Sequence, residues 1–248
     1  MRRGVTMIRP IHSLCILLLA VLALNASPAA AATVPVVGCP TDGQIGPEPA
    51  PKSGTKHVTL DARAASALAY YRNADIGVLG PRGWHCLVLE GSNGTTIYVT
   101  PERLAANALM FGKKFKGLSG DAIQLSVSLG ETSGRFEAAK IMARVFPQNR
   151  IFVDKVIAEK MEPASNFVFG PYPTDRLTRR SEAMVEYQTP ANSKGLGTDS
   201  RLLPNPSPIL GMVFLGEDDS VLSLSVRLPQ DDLTRAIIRR TEIDRGQP

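Results

Sequence analysis

The chain is poor in the residues that usually carry chemistry. Its 248 residues include three Cys, three His and one Trp. There is no G-x-S-x-G, so the nucleophile elbow of an α/β hydrolase is missing. There is no H-E-x-x-H, no C-x-x-C and no G-x-x-x-x-G-K-[ST], which removes the zinc-protease helix, the dithiol redox site and the phosphate-cradling loop. Only His57 and His85 lie beyond the N-terminal segment, and neither has a fixed spacing to an acid, so no metal centre is read. Asp218-Asp219 lack the alternating oxygen ligands of a calcium loop and read as a solvated turn. Nothing points to a cofactor. The one leading apolar run, Leu14 to Leu24, is about half the ~20 residues a membrane span needs.

That run defines the compartment. Arg2, Arg3 and Arg9 precede it, and the small residues Ala29 to Ala32 follow it. A basic start, a short apolar stretch and an A-x-A end read as a signal peptide over residues 1–31, cut near Ala31 or Ala32. The product is expected to be periplasmic or secreted, without a transmembrane anchor. A second export reading comes from Val36-Val37-Gly38-Cys39, which resembles a lipobox and would make Cys39 a lipid anchor. The whole chain carries 28 Lys+Arg against 23 Asp+Glu. Loss of the three leading Arg leaves 25 against 23, a net +2. With no basic helix interleaved with aromatics, that balance argues against a nucleic-acid partner.

Cysteine arithmetic follows from export. Cys15 leaves with the signal, and Cys39 and Cys86 remain as an even pair in an oxidising compartment, so they are expected to form a disulfide. Residues 32–56, rich in Pro and Gly, read as an extended arm outside any sheet interior, which that bond would pin to a globular body over residues 57–248, with one or two subdomains.

Periodicity gives the body its class. Asp61 is expected to N-cap an Ala-rich helix to about Arg72. Asn93-Gly94 predicts a hairpin pairing Val88 with Val99 and Glu90 with Ile97. Thr100-Pro101-Glu102 predicts the start of a helix near 101–110. Ile123 to Leu129 alternate as a half-buried strand. Phe136, Ala139, Ala143 and Phe146 form a helical stripe stopped by Pro147, and Val153, Val156 and Ile157 suggest another short helix. Ala183, Val185 and Tyr187 mark a further strand. Ile209–Leu215 and Val221–Leu228 form a terminal hairpin with Ser223, Ser225 and Arg227 facing out. A last helix begins near Asp231, acids first. Hairpins outnumber crossovers, so the class is α+β: a mainly antiparallel twisted sheet with several packed helices.

Trp84-His85-Cys86 invites a catalytic reading. On a strand, Trp84, Cys86 and Val88 share one face with Ile97 and Val99, while His85 faces the other way with Leu87, Leu89 and Tyr98. His85 therefore cannot activate Cys86, and the motif reads as scaffold. Glu182 and Glu186 share a strand face about 13 Å apart, beyond the carboxylate separations of glycosidases.

The surface that folding explains least is made of two loops, residues 170–177 and 190–206. The second belongs to a stretch of about twenty residues, and loops of that length usually serve a function or are disordered. Tyr172, Asp175 and Arg176 from one, and Lys194, Thr198, Asp199 and Arg201 from the other, supply polar groups beside Glu186. Gly195 and Gly197 permit backbone shapes that other residues resist. A ligand or partner, either a small molecule or an envelope protein, is expected there without catalysis. The rival is an envelope hydrolase using Asp175, Glu182, Glu186 or His85.

The motifs "PRGWHC" with "GSNGTTIYVTP", "TSGRFEAAKIMARVFP", "FGPYP", "VEYQTPANSKGLGT" and "SVRLP" resemble a family of uncharacterised, signal-bearing bacterial extracytoplasmic proteins. The resemblance spans about Cys39 to Pro229. It implies the same extracytoplasmic place for this chain and carries no catalytic residue with it.

Overall fold

The computed structural model describes residues 30–113 and 115–246. The proposed signal peptide therefore lies outside the described residues, apart from its last two positions. Two sheets organise the chain. The smaller has the order β3-β1-β4-β5, with β1 Ala30–Gly38, β3 Gly54–Leu60, β4 Leu68–Arg72 and β5 Gly77–Pro81. The larger has the order β2-β6-β7-β8-β12-β11-β10-β9. Its strands are β2 Thr41–Gly43, β6 His85–Gly91, β7 Gly94–Thr100, β8 Ala122–Ser128, β9 Arg176–Ser181, β10 Met184–Thr189, β11 Ile209–Leu215 and β12 Val221–Arg227. Pairing is antiparallel except for β1 with β4 and β2 with β6. The described helices are α1 Ala62–Ala67, α2 Ala106–Phe111, α3 Arg135–Val145, α4 Arg150–Ala158, α5 Leu196–Asp199 and α6 Asp231–Gly246. The class is α+β, as the patterning predicts.

Two apolar cores lie on opposite faces of the large sheet. The first joins the small sheet, one face of the large sheet and Leu233, Ile237 and Ile238 of α6. The second joins the other face to α3, with Ala138, Ala139, Met142 and Phe146, and to the loop residues Leu196 and Leu202. Covering both faces overturns one expectation. Ser225 and Arg227 do not face out; both are buried, and Arg227 is 0% exposed. The alternation along β12 is real, but the second face lies under α3 and the segments 118–120 and 201–203.

The disulfide is present. Cys39 and Cys86 are bonded, with Cα atoms 5.3 Å apart. It ties the chain just after β1, in the small sheet, to β6 of the large sheet. Trp84 packs against the first core, and its backbone N–H donates to the Tyr71 hydroxyl at 3.1 Å. The segment 84–86 is scaffold.

Four local expectations need correction. The arm over 32–56 is not loose at its start: β1 is an inner strand, paired with β3 on one side and β4 on the other, and Val34 is fully buried. The Ala-rich helix keeps its cap, with Asp61 Oδ1 accepting from Ala64 N–H at 2.8 Å, but ends at Ala67. Leu68–Arg72 instead form a strand, because Leu68, Ala69 and Tyr71 are buried there by pairing with β1 and β5. The hairpin at 91–94 turns through Ser92-Asn93, pairing Val88 with Ile97 and Glu90 with Thr95. The shift is two residues, so every side chain keeps its expected face. The helix near 101–110 starts only at Ala106, without a side-chain cap, because Thr100 Oγ1 is engaged with Glu102 O at 2.6 Å.

Candidate functional site

Three neighbouring strands place polar side chains on the same face. Thr96 of β7 stands opposite Ser126 of β8, which stands opposite Ser223 of β12. One row along, Tyr98 stands opposite Gln124, and Gln124 opposite Ser225. Alternation sends all six toward α3. The surrounding sheet on that face is apolar, with Leu87, Val185 and Val213 in the second core. The rows are cross-linked. The Thr96 hydroxyl and Gln124 Nε2 each donate to Ser126 Oγ at 3.0 Å, and Gln124 Oε1 accepts from Arg201 N–H at 2.8 Å. Tyr187 of β10 reaches across Gly211 to within 2.7 Å of Ser225 Oγ and donates to Leu224 O at 2.9 Å. A Cβ on Gly211 would lie 2.4 Å from the phenol, so only glycine lets the ring cross.

Above the rows is a cleft of about 550 Å³, walled by Met110, Glu137, Ile141, Leu196, Asp199 and Arg201. Two accessible carboxylates share it. The Glu137 side chain is 48% exposed, yet the enclosing walls strip its water and raise its pKa; Lys140 pulls it back and the Asp199 carboxylate pushes it further up. Burial likewise raises Asp199, against the Tyr172 hydroxyl and the Arg144 guanidinium. Burial also raises the Tyr98 phenol, while Arg201 beside it acts the other way. Raised, accessible carboxylates in a concave site are a common mark of function.

These shifts have a defined sign in stability. A carboxyl with a folded pKa above its unfolded one binds more protons in the native state. Native stability therefore falls as pH rises from about 4.3, the ordinary Glu value, through the raised folded value. Glu137→Gln removes the charge, and Lys140 keeps Glu162 at 2.9 Å. The variant is expected to show a higher urea midpoint than the parent at pH 7, with the gap closing by about pH 4. An equal or lower midpoint at pH 7 would contradict this electrostatic picture.

The loops 170–177 and 190–206 do meet, but most of their polar groups are spent on each other. Asp175 Oδ2 accepts from Leu196 N–H at 2.8 Å, and its Oδ1 from Thr189 Oγ1 at 2.7 Å. Burial raises Asp175, and these two donors oppose the rise. Tyr172 donates to Asp199 Oδ1 at 2.7 Å, with the Arg144 guanidinium stacked 3.8 Å from its ring centre. Burial and the Asp199 carboxylate push that phenol up to about 12. Thr198 Oγ1 closes the start of α5 on Gly195 N–H at 2.9 Å. Lys194 contributes its carbonyl, which accepts from Thr174 Oγ1 at 2.7 Å.

The two glycines act through close approach rather than unusual backbone. Gly195 has an extended φ of −175°. A Cβ there would lie 2.0 Å from Asp175 Oδ1, and one on Gly197 would lie 2.7 Å from Ile209. These loops hold the rim of the cleft; Leu196, Asp199, Ser200 and Arg201 are the members that reach it.

The other expected residues fall elsewhere. Arg176 and Glu186 lie on the opposite sheet face, where Glu186 pairs with Arg180 at 2.7 Å. Glu182 sits in the exposed turn before β10, where its carbonyl accepts from Gln148 at 2.8 Å. His85 pairs across strands with Thr100. Glu137 and the polar rows escape sequence reading. The Ser and Gln alternation in 122–128 and 221–227 marks a polar face, but nothing local says that these strands are neighbours. Among the described residues, no group of three or more His, Cys, Asp and Glu is arranged to hold a metal.

A larger cleft, about 610 Å³, separates the small sheet from α6. Among its charged side chains, Lys56 stacks on the Tyr70 ring at 3.8 Å and Arg240 pairs with Asp244, while Lys52, Arg72 and Asp75 make no ion pair among the described residues. The polar rows make the smaller cleft the stronger candidate. Comparison of the chain with family models, curated proteins and solved structures found no match.

Proposed function

We propose that this chain is an extracytoplasmic binding protein whose ligand is a hydroxyl- or amide-bearing small molecule, held in the cleft over the Thr96–Ser126–Ser223 and Tyr98–Gln124–Ser225 rows. One observation carries the reading: a two-row grid of hydroxyl and amide groups lies open to a cleft on a sheet face where Leu87, Val185 and Val213 pack in the second core. A cleft with a few convergent polar groups is the usual form of a small-molecule site. Glu137 and Asp199 at the rim favour a ligand that also donates hydrogen bonds or carries an amine.

The signal-like start and the Cys39–Cys86 bond support placement outside the cytoplasm. Among the described residues, no helix is long and apolar enough to cross a membrane. Anchoring through a lipid on Cys39 fits poorly. It would need the sulfur that the disulfide uses, and a cut that removes β1 from the middle of the small sheet. Cleavage near Ala31 or Ala32 leaves most of that strand in place.

Calorimetric titration of the oxidised protein against monosaccharides, amino sugars and short peptides tests the reading. At least one class should bind. Ser126→Val/Ser223→Val should weaken it tenfold or more, while the same variant melts within a few degrees of the parent. No binding in any class, or equal binding by a folded variant, would overturn the proposal.

A second reading rests on the two raised carboxylates: Glu137 as an acid in a hydrolase. Turnover in the same screen, abolished by Glu137→Gln with binding retained, would select it. Asp175 and Glu186 no longer fit that role, since one is bound between loops and the other is paired on the far face.

A further inference from the structure

The last strand of the large sheet is open on one side. Among the described residues, β9 is hydrogen-bonded to β10 only. Its residues, RLTRRS, are exposed apart from half-buried Leu177. Such an edge presents a row of backbone N–H and C=O groups able to pair with another chain. On the face away from the cleft, β9 and α6 border a groove of about 520 Å³ that contains Arg176, Arg180, Arg235 and Arg239 against Glu186 and Glu242. Arg180 is paired with Glu186. Arg176, Arg235 and Arg239 make no ion pair among the described residues. The groove is thus a net cationic surface running beside an unpaired strand edge.

Charge on an edge strand commonly guards against edge-to-edge association. Here the guard is of one sign. It repels a second copy of the same edge and attracts an acidic strand, so it selects as well as protects. We infer that the β9 edge is a docking site for an extended acidic segment of a partner protein, which adds as a ninth strand. Backbone pairing supplies affinity that does not depend on sequence, and alternate side chains supply the selection. Arg176 and Arg180 both line the groove, and the β9–β10 register shifts beside Arg180, so the regular ladder covers Arg176 to Arg179. The partner should therefore carry a carboxylate on the face that meets the unpaired Arg176. This inference does not depend on the cleft or its ligand.

A fluorescently labelled ten-residue peptide of alternating Glu and Val is the probe, with the Lys-Val peptide as its counterpart. Polarisation should show the Glu-Val peptide binding at least tenfold more tightly than the Lys-Val peptide, and weakening as salt rises. Arg176→Glu/Arg239→Glu changes two exposed residues outside any ion pair, so the fold should persist. That variant should lose tenfold or more in affinity. Hydrogen exchange should slow at the amides of 176–181 when the peptide is bound. Equal binding of the two peptides overturns the inference, as does no binding or undiminished binding by the variant. Binding without slowed exchange in β9 also overturns it, because it would mean charge attraction without strand addition.

Discussion

A Cys39→Ala/Cys86→Ala variant is expected to lose about 4 kcal/mol of unfolding free energy, the loop-entropy value for residues this far apart in sequence. The separation is 47 residues, and most of the effect lies in the greater freedom of the unfolded chain. Domains of this kind have a total stability of about 5–15 kcal/mol, so one covalent bond supports a large share of it. At a urea slope of about 2 kcal/mol/M, the midpoint should fall by about 2 M. The parent treated with reductant should follow the variant. The tertiary consequence is specific: the bond joins the end of β1 to β6, and so one sheet to the other. Exchange should therefore quicken first in β1 and β2. An unchanged midpoint, with both thiols shown to be free in the reduced parent, would refute this account. So would two alkylatable thiols in the natively exported chain.

Arg227→Met is the second change with a large expected effect. Arg227 is fully buried, and its guanidinium is consumed by backbone carbonyls. Nε donates to Gly120 O at 2.9 Å, Nη1 to Leu203 O at 2.6 Å and Nη2 to Leu118 O at 2.8 Å. Burial pulls its pKa down and Asp121 nearby opposes that; an arginine stays charged regardless. Methionine fills much of the volume but donates nothing. Leu118 O retains the Leu203 N–H at 2.9 Å, whereas Gly120 O and Leu203 O lose the side-chain donor that reaches them. Gly120 is exposed and Leu203 half-buried, so water takes up part of the lost donation. An acceptor left unpaired costs about 1–3 kcal/mol and relief of the buried charge offsets part of that, so a net loss of about 2 kcal/mol is expected. Arg227→Lys keeps the charge but cannot reach three carbonyls, and should fall between the two.

The effect should spread to the cleft. The carbonyls that Arg227 holds belong to segments on either side of the Leu118–Leu202 bridge, and Arg201 and Asp199 sit just upstream on the second segment. Hydrogen exchange should quicken at 117–121 and 200–205 in the variant. Exchange confined to β12, or a melting curve within about 0.5 kcal/mol of the parent, would show that the guanidinium does not organise these loops.

Much of the fold is legible because its signals are short-range. The alternation of Ile123, Leu125 and Val127, and of Leu222, Leu224 and Val226, locates β8 and β12 on its own. The stripe through Ala139, Ala143 and Phe146 locates α3, and Pro147 ends it. Asp61 caps α1 as its chemistry predicts. The errors occur where local preference met distant partners. Leu68–Arg72 can continue an Ala-rich helix or form a strand, and β1 and β5 decide the matter. Residues 32–38 contain Pro35 and still become an inner strand, because β3 and β4 are there to receive them. For the site, the loop pair is legible as two polar segments, but that Asp175 and Thr198 hydrogen-bond within them is decided only in the fold. Gly195 serves by leaving room for the Asp175 carboxylate, a purpose invisible until the two segments meet.

The sequence by itself determined the pairing of Cys39 with Cys86 and the position of most elements, since each depends on residue type and on patterns within a few turns or strands. Only the tertiary structure decided what a polar face is for. Serine and glutamine alternate identically along a strand bathed in water and a strand lining a cleft. The difference is the layer above, and α3 with the 196–201 segment is brought there by contacts tens of residues away. The same holds for Arg227, whose place in the alternation suits solvent but whose guanidinium is enclosed by carbonyls from two other segments.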